Sequence, residues 1–201
     1  MMQNLFRLFK KAKTKPLPGF PAVSILDVQP ASCLLFYSGN KLTEMFGERV
    51  YRHPFHPPAF HAAITLGAGM FLNVGKFKTL NFISEEMRST RRIDVIEYRM
   101  DADQREKIRQ AALIDADQPK IGLMLPTYGI TDYLRFGFPW FKPSERDICS
   151  ENCLELLAVA GVRGSAKPTY RSAPWDLLTY ALDNPEQCIV KTAWIGANFK
   201  G

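Results

Sequence analysis

Asp147-Ile148-Cys149-Ser150-Glu151-Asn152-Cys153-Leu154-Glu155-Leu156-Leu157-Ala158-Val159-Ala160-Gly161 is the stretch around which the rest of the chain is arranged. Cys153, Leu154, Leu157 and Ala160 recur at helical spacing and give the segment one apolar side. Gly161 stands where a helix stops, because glycine enters the left-handed conformation without steric cost. Cys149 falls at or just before the first turn. Unpaired N–H groups and the positive end of the helix dipole there favour a thiolate over a thiol. Such a cysteine becomes a nucleophile when a base elsewhere in the fold reaches it. Without that base it is a small buried side chain at a helix start.

A candidate base lies in His61-Ala62-Ala63-Ile64-Thr65-Leu66, Gly67-Ala68-Gly69, Met70-Phe71-Leu72-Asn73-Val74, which reads as a β-hairpin. With residues 67–69 as the loop, Leu66 opposes Met70, Ile64 opposes Leu72 and Ala62 opposes Val74. That leaves one face wholly apolar. The other carries His61, Ala63 and Thr65 on one strand and Phe71 and Asn73 on the next. A one-residue change in loop length would send Asn73 to the opposite face. The register that separates polar from apolar makes His61 and Asn73 diagonal neighbours, about 7–8 Å apart at the backbone. A positive φ is expected at Gly69 or Gly67.

The 201 residues are 46% hydrophobic and 23% charged, which suits one well-buried domain. The net charge of +6 suits an anionic surface such as a membrane or a cell-wall polymer. No recognition motif accompanies that charge, so specific nucleic-acid binding is not expected. Residues 1–22 read as a basic appendage and linker. Leu5, Phe6, Leu8 and Phe9 lie among Arg7, Lys10, Lys11, Lys13 and Lys15, and Pro16, Pro18, Gly19 and Pro21 follow. The apolar run is too short for a secretory leader, and none approaches membrane-spanning length. A cytoplasmic or membrane-peripheral protein is therefore expected, with residues 23–201 as its domain.

The cysteines Cys33, Cys149, Cys153 and Cys188 show no disulfide framework, and a lone C-x3-C pair does not make a zinc site. His53, His56 and His61 are interrupted by Pro54, Pro57 and Pro58, so they cannot share a regular helix. No metal and no cofactor is expected. Elsewhere the pattern predicts strands over 32–37, 91–100 and 187–194, and short helices over 41–48 and within 128–138. A turn with a short helical piece is expected over 79–87. Asp101 with Gln104 three residues on forms a capping box that opens a helix reaching about Asp115. Ser172-Ala173-Pro174-Trp175-Asp176-Leu177 opens another, ending near Leu182. Arg88, Arg91 and Arg92 read first as a solvated edge and second as an anion site.

This order of strand, histidine hairpin, strand, capped helix, cysteine helix and Pro-x-Asp-Leu helix resembles the circularly permuted papain-like amidases and peptidases of the NlpC-type superfamily. That branch of bacterial and phage proteins includes relatives of lecithin retinol acyltransferase. The matching pieces are His61-Ala62-Ala63-Ile64-Thr65-Leu66-Gly67, Ile148-Cys149-Ser150-Glu151 and Ala173-Pro174-Trp175-Asp176-Leu177, within residues 30–182. Two positions depart from the family pattern: Ala31-Ser32 replaces a Gly-Asp, and Asn152-Cys153 follows Glu151 where an apolar residue is usual. The resemblance implies an α+β fold, an antiparallel sheet packed against helices. It also implies Cys149 as nucleophile, His61 as base and Asn73 as orienter of the imidazole. The implied activity is a cysteine hydrolase of an amide bond, such as a cell-wall peptide, through an acyl-enzyme. An acyltransferase or thioester or lipid-ester hydrolase on the same residues is the first alternative. A non-catalytic binding module on a hydrolase fold is the second.

Overall fold

The computed structural model describes residues 15–38, 55–57, 59–74, 78–88, 90–117 and 149–197. The helices expected over 41–48 and within 128–138, the basic segment 1–14 and His53 lie outside the described residues. In chain order the elements are β1 (Lys15–Pro16), β2 (Cys33–Ser38), β3 (Phe55–His56), β4 (Ala59–Gly67), β5 (Met70–Val74), β6 (Lys78–Phe82), α1 (Ile83–Glu86), β7 (Thr90–Tyr98), α2 (Ala102–Asp117), α3 (Cys149–Val159), α4 (Pro174–Asp183) and β8 (Cys188–Ile195). The fold is α+β. A six-stranded sheet of order β6-β5-β4-β2-β7-β8 is antiparallel at every pairing.

Alternation along the strands sorts side chains into two cores. Ala62, Ile64, Leu66, Leu72 and Val74 join Leu154, Leu157 and Leu177 of the helices. Ala63 and Phe71 instead join Leu34, Phe36, Ile93 and Val95, with Val28 and Ile83 packed on them. The sheet is thus apolar on both faces around β4, with α2, α3 and α4 packed on one and Ile83 of α1 on the other. α2 begins with the expected reciprocal cap: Gln104 N–H donates to Asp101 Oδ1 (2.7 Å), and Asp101 N–H donates to Gln104 Oε1 (3.1 Å). α4 opens on Pro174, and Ala173 N–H donates to the Asp176 carboxylate (2.9 Å). α3 ends before Gly161, whose φ of 72° is the left-handed stop expected.

The hairpin keeps the Ile64–Leu72 pair but not Leu66 opposite Met70. Gly67 pairs with Met70, and a bulge between Thr65 and Gly67 leaves Leu66 as the extra residue. The turn is therefore tighter than a three-residue loop. It is made by Ala68 and Gly69, both at positive φ (50° and 74°), next to Gly67 at 92°. Residues 79–87 also differ from expectation. Their first part is the edge strand β6, and only Ile83–Glu86 is helical.

The linker assigned to residues 16–22 is corrected as well. Leu17 is buried, Val23 N–H donates to Thr192 O (2.9 Å), and Thr192 N–H donates to Pro21 O (2.8 Å). The proline-rich sequence supplies an extended arm over the end of the sheet. Arg92 holds it there and is not a solvated edge residue. Its guanidinium donates to Asp94 (2.7 Å), Pro18 O (2.8 Å) and Thr192 Oγ1 (3.2 Å) and lies 5.1 Å from the Phe20 ring centroid.

Candidate active site

β4 carries His61 opposite Phe36 of β2, and the Ile64–Leu72 register sets Asn73 of β5 diagonal to it, two residues along β4. His61 Nε2 lies 2.9 Å from Asn73 Oδ1. An amide oxygen only accepts, so Nε2 carries the proton and donates to it. In the neutral ring that leaves Nδ1 unprotonated, an acceptor. Cys149, at the start of α3, makes a side-chain hydrogen bond with the His61 ring. The three residues selected from the sequence are therefore brought together as Cys149, His61 and Asn73.

The site sits where the two cores meet. Cys149 belongs to the helix-side cluster, whereas the imidazole packs 5.4 Å from the Phe36 ring centroid, and Phe71 backs that ring at 5.5 Å. Phe60 lies 6.3 Å from the imidazole. Burial works to lower the His61 pKa. The Cys149 sulfur, the hydrogen bonds to Cys149 and Asn73, and the Glu86 charge outweigh it and hold the ring above its ordinary 6.5. An imidazolium stabilised by a facing sulfur is the electrostatic condition for a thiolate–imidazolium pair.

Cys149 is only 5% exposed. Its distinction from Cys153 is the partner. Cys153, 1% exposed, has its thiol pushed well up by burial, with the neighbouring Cys33 adding to the shift. It faces other thiols where Cys149 faces a base. All four cysteines are reduced and buried.

No family model, curated protein or solved structure matches this chain. The site therefore stands on its own geometry. Among the described residues, no group of three or more His, Cys, Asp or Glu is placed to hold a metal ion, and no helix is long and apolar enough to cross a membrane.

The sequence reading missed how the Cys149 helix is held. Ser150 and Asn152 are both buried. Ser150 Oγ donates to Ser172 O, ahead of α4. Asn152 Nδ2 donates to Asp115 Oδ2 of α2 (2.7 Å), and Lys78 of β6 donates to both Asp115 oxygens (2.7 and 2.8 Å). The available signal was two polar residues, Ser150 and Asn152, just after the candidate nucleophile on a helix expected to pack, since polar groups that become buried require partners.

Proposed function

We propose that the protein is a cysteine-dependent hydrolase of the papain-like, circularly permuted NlpC type that cleaves an amide bond, as in a cell-wall peptide, on Cys149, His61 and Asn73. The observation that carries this reading is a single imidazole held between two partners: the amide oxygen of Asn73 at 2.9 Å and the thiol of Cys149. Each partner fixes what the other needs. Asn73 keeps the proton on Nε2 and so presents Nδ1 as the acceptor, a task asparagine performs in Cys-His-Asn hydrolases.

The chemistry follows from that tautomer. Nδ1 takes the Cys149 proton, giving a thiolate–imidazolium pair. The sulfur attacks the carbonyl carbon, and the oxygen that becomes negative is met by backbone N–H groups at the start of α3, among them that of Cys149. Collapse of the tetrahedral species breaks the C–N bond. The imidazolium gives its proton to the departing amine and leaves a thioester on Cys149. His61 then accepts a proton from water as the water attacks the thioester, releasing the carboxylic acid and restoring the thiol. An amine or alcohol in place of that water would make the same site an acyltransferase.

Iodoacetamide alkylation followed by peptide mass spectrometry tests the pair directly. Cys149 should react well below neutral pH, and His61→Ala should remove that low-pH reactivity. Cys153 should stay unlabelled, and Cys149→Ala should abolish labelling and turnover together. Equal labelling of Cys149 and Cys153, or low-pH labelling that survives His61→Ala, would sink the proposal.

A further inference from the structure

The helix that carries Cys149 is tied to the sheet at one polar node outside the catalytic trio. Asn152 is 3% exposed and lies one turn beyond Cys149 on α3, where its Nδ2 donates to Asp115 Oδ2 at 2.7 Å. Asp115, near the end of α2, in turn receives Lys78 Nζ on both oxygens at 2.7 and 2.8 Å. Lys78 stands on β6 opposite Val74, and its neighbour Thr79 stands opposite Asn73. A chain of three hydrogen-bonded side chains therefore runs from the first turn of the cysteine helix to the strand paired with the asparagine strand. It spans β6, α2 and α3, with Lys78, Asp115 and Asn152 each 37 residues from the next.

We infer that Asp115, with Asn152 and Lys78, is a positioning device for the site: it sets where the start of α3 sits relative to His61 and Asn73, and so whether the Cys149 sulfur reaches the imidazole. This rests on the Cys149–His61 reading above. Asp115 touches none of the reacting atoms, so it is a positioning residue. The reason to expect an effect on chemistry as well as on stability is geometric. Apolar packing of α3 through Leu154 and Leu157 leaves small sliding and rotation inexpensive, because dispersion contacts are non-directional. A charge-assisted hydrogen bond at 2.7 Å to a buried amide is directional and fixes one seating of the turn. A displacement of about 1 Å at a reacting atom can cost on the order of a hundredfold in rate.

The test is the pH profile of Cys149 alkylation by iodoacetamide, read beside thermal melting, in the full chain. Asp115→Ala and Asn152→Ala should each lower the rate at pH 6 by on the order of tenfold or more, while the rate at pH 9, where any thiol ionises, changes little. Asp115→Asn keeps an acceptor for Asn152 and should retain most of the low-pH rate. Lys78→Met, at a partly exposed position on the edge strand, provides a variant with less risk to folding and should fall between. If the variants melt earlier but keep the wild-type profile, the node is merely structural and the inference is overturned while the catalytic pair stands. If wild type itself shows no His61-dependent rate at pH 6, the Cys149–His61 reading fails and takes this inference with it.

Discussion

His61 is held above its ordinary pKa against its own burial, and the cause can be removed one partner at a time. Desolvation alone lowers a histidine pKa; here the facing Cys149 sulfur, with help from Asn73 and Glu86, reverses the sign. An NMR titration of the His61 ring should therefore give a midpoint above 6.5 in wild type. In Cys149→Ala the midpoint should fall, because the largest raising influence is gone and burial remains. The linkage to stability has a fixed sign. A folded-state pKa raised above the unfolded one contributes stability that is fully present below the unfolded value and is lost as pH rises through the folded value. His61 should thus favour the fold most on the acid side of 6.5, and urea unfolding of wild type against His61→Ala across pH 5 to 9 reads that trend. A midpoint unmoved by Cys149→Ala would separate the two side chains. Cys153 should behave otherwise. Its thiol is kept neutral by burial, so Cys153→Ala should leave the His61 midpoint in place and cost about 1–2 kcal/mol for the cavity left behind.

At the level of elements, the hairpin shows what a pattern of residues can and cannot specify. Alternation of Ala62, Ile64 and Leu72 against Ala63, Phe71 and Asn73 was legible because one-residue slips invert every side chain, and the Ile64–Leu72 pair follows from it. The same logic puts His61 and Asn73 on one face. The bulge at Leu66–Gly67 was not legible, since it depends on strand twist and on the close approach of Pro30, whose Cγ would lie 3.2 Å from a Cβ on Gly67. Nor does an alanine signal a left-handed turn position. Ala68 at φ 50° is unfavourable for an L side chain, so Ala68→Gly should raise stability by up to about 1 kcal/mol. Gly69→Ala should lower it by a similar amount, because the position has φ 74° and a new Cβ would meet Ile25 Cγ2 at 3.3 Å. Chemical denaturation of the two variants checks both signs, and a destabilised Ala68→Gly would count against backbone strain at position 68. β6 escaped the reading for a related reason. It is an edge strand with Leu80 and Phe82 exposed, so its apolar alternation does not mark a core face.

Across the whole molecule, the least legible feature is the arm of residues 17–23, because prolines and a glycine look alike in a linker and in an extended segment laid over a sheet. What distinguishes them is a tertiary partner, the buried Arg92–Asp94 pair, at 3% and 0% side-chain exposure. Burial is the main influence on Asp94 and raises its carboxyl above the ordinary range, with Arg92 opposing. The pair is tolerated because Arg92 also donates to Pro18 O and Thr192 Oγ1 and packs on Phe20, so the arm completes the solvation of the charge that it covers. Removing one partner of such a pair leaves an uncompensated buried charge, and Asp94→Ala should cost about 3–5 kcal/mol. Removing residues 1–22 opens Arg92 to water, which then solvates the guanidinium in place of Pro18 O. Asp94→Ala should consequently cost less in the truncated chain than in the full one, a coupling on the order of 1 kcal/mol or more, as expected for groups sharing one network. Urea unfolding of wild type, each single variant and the combination measures that coupling. Strict additivity would show that the arm and the ion pair act independently, and that Leu17 and Phe20 hold the arm by apolar contact alone.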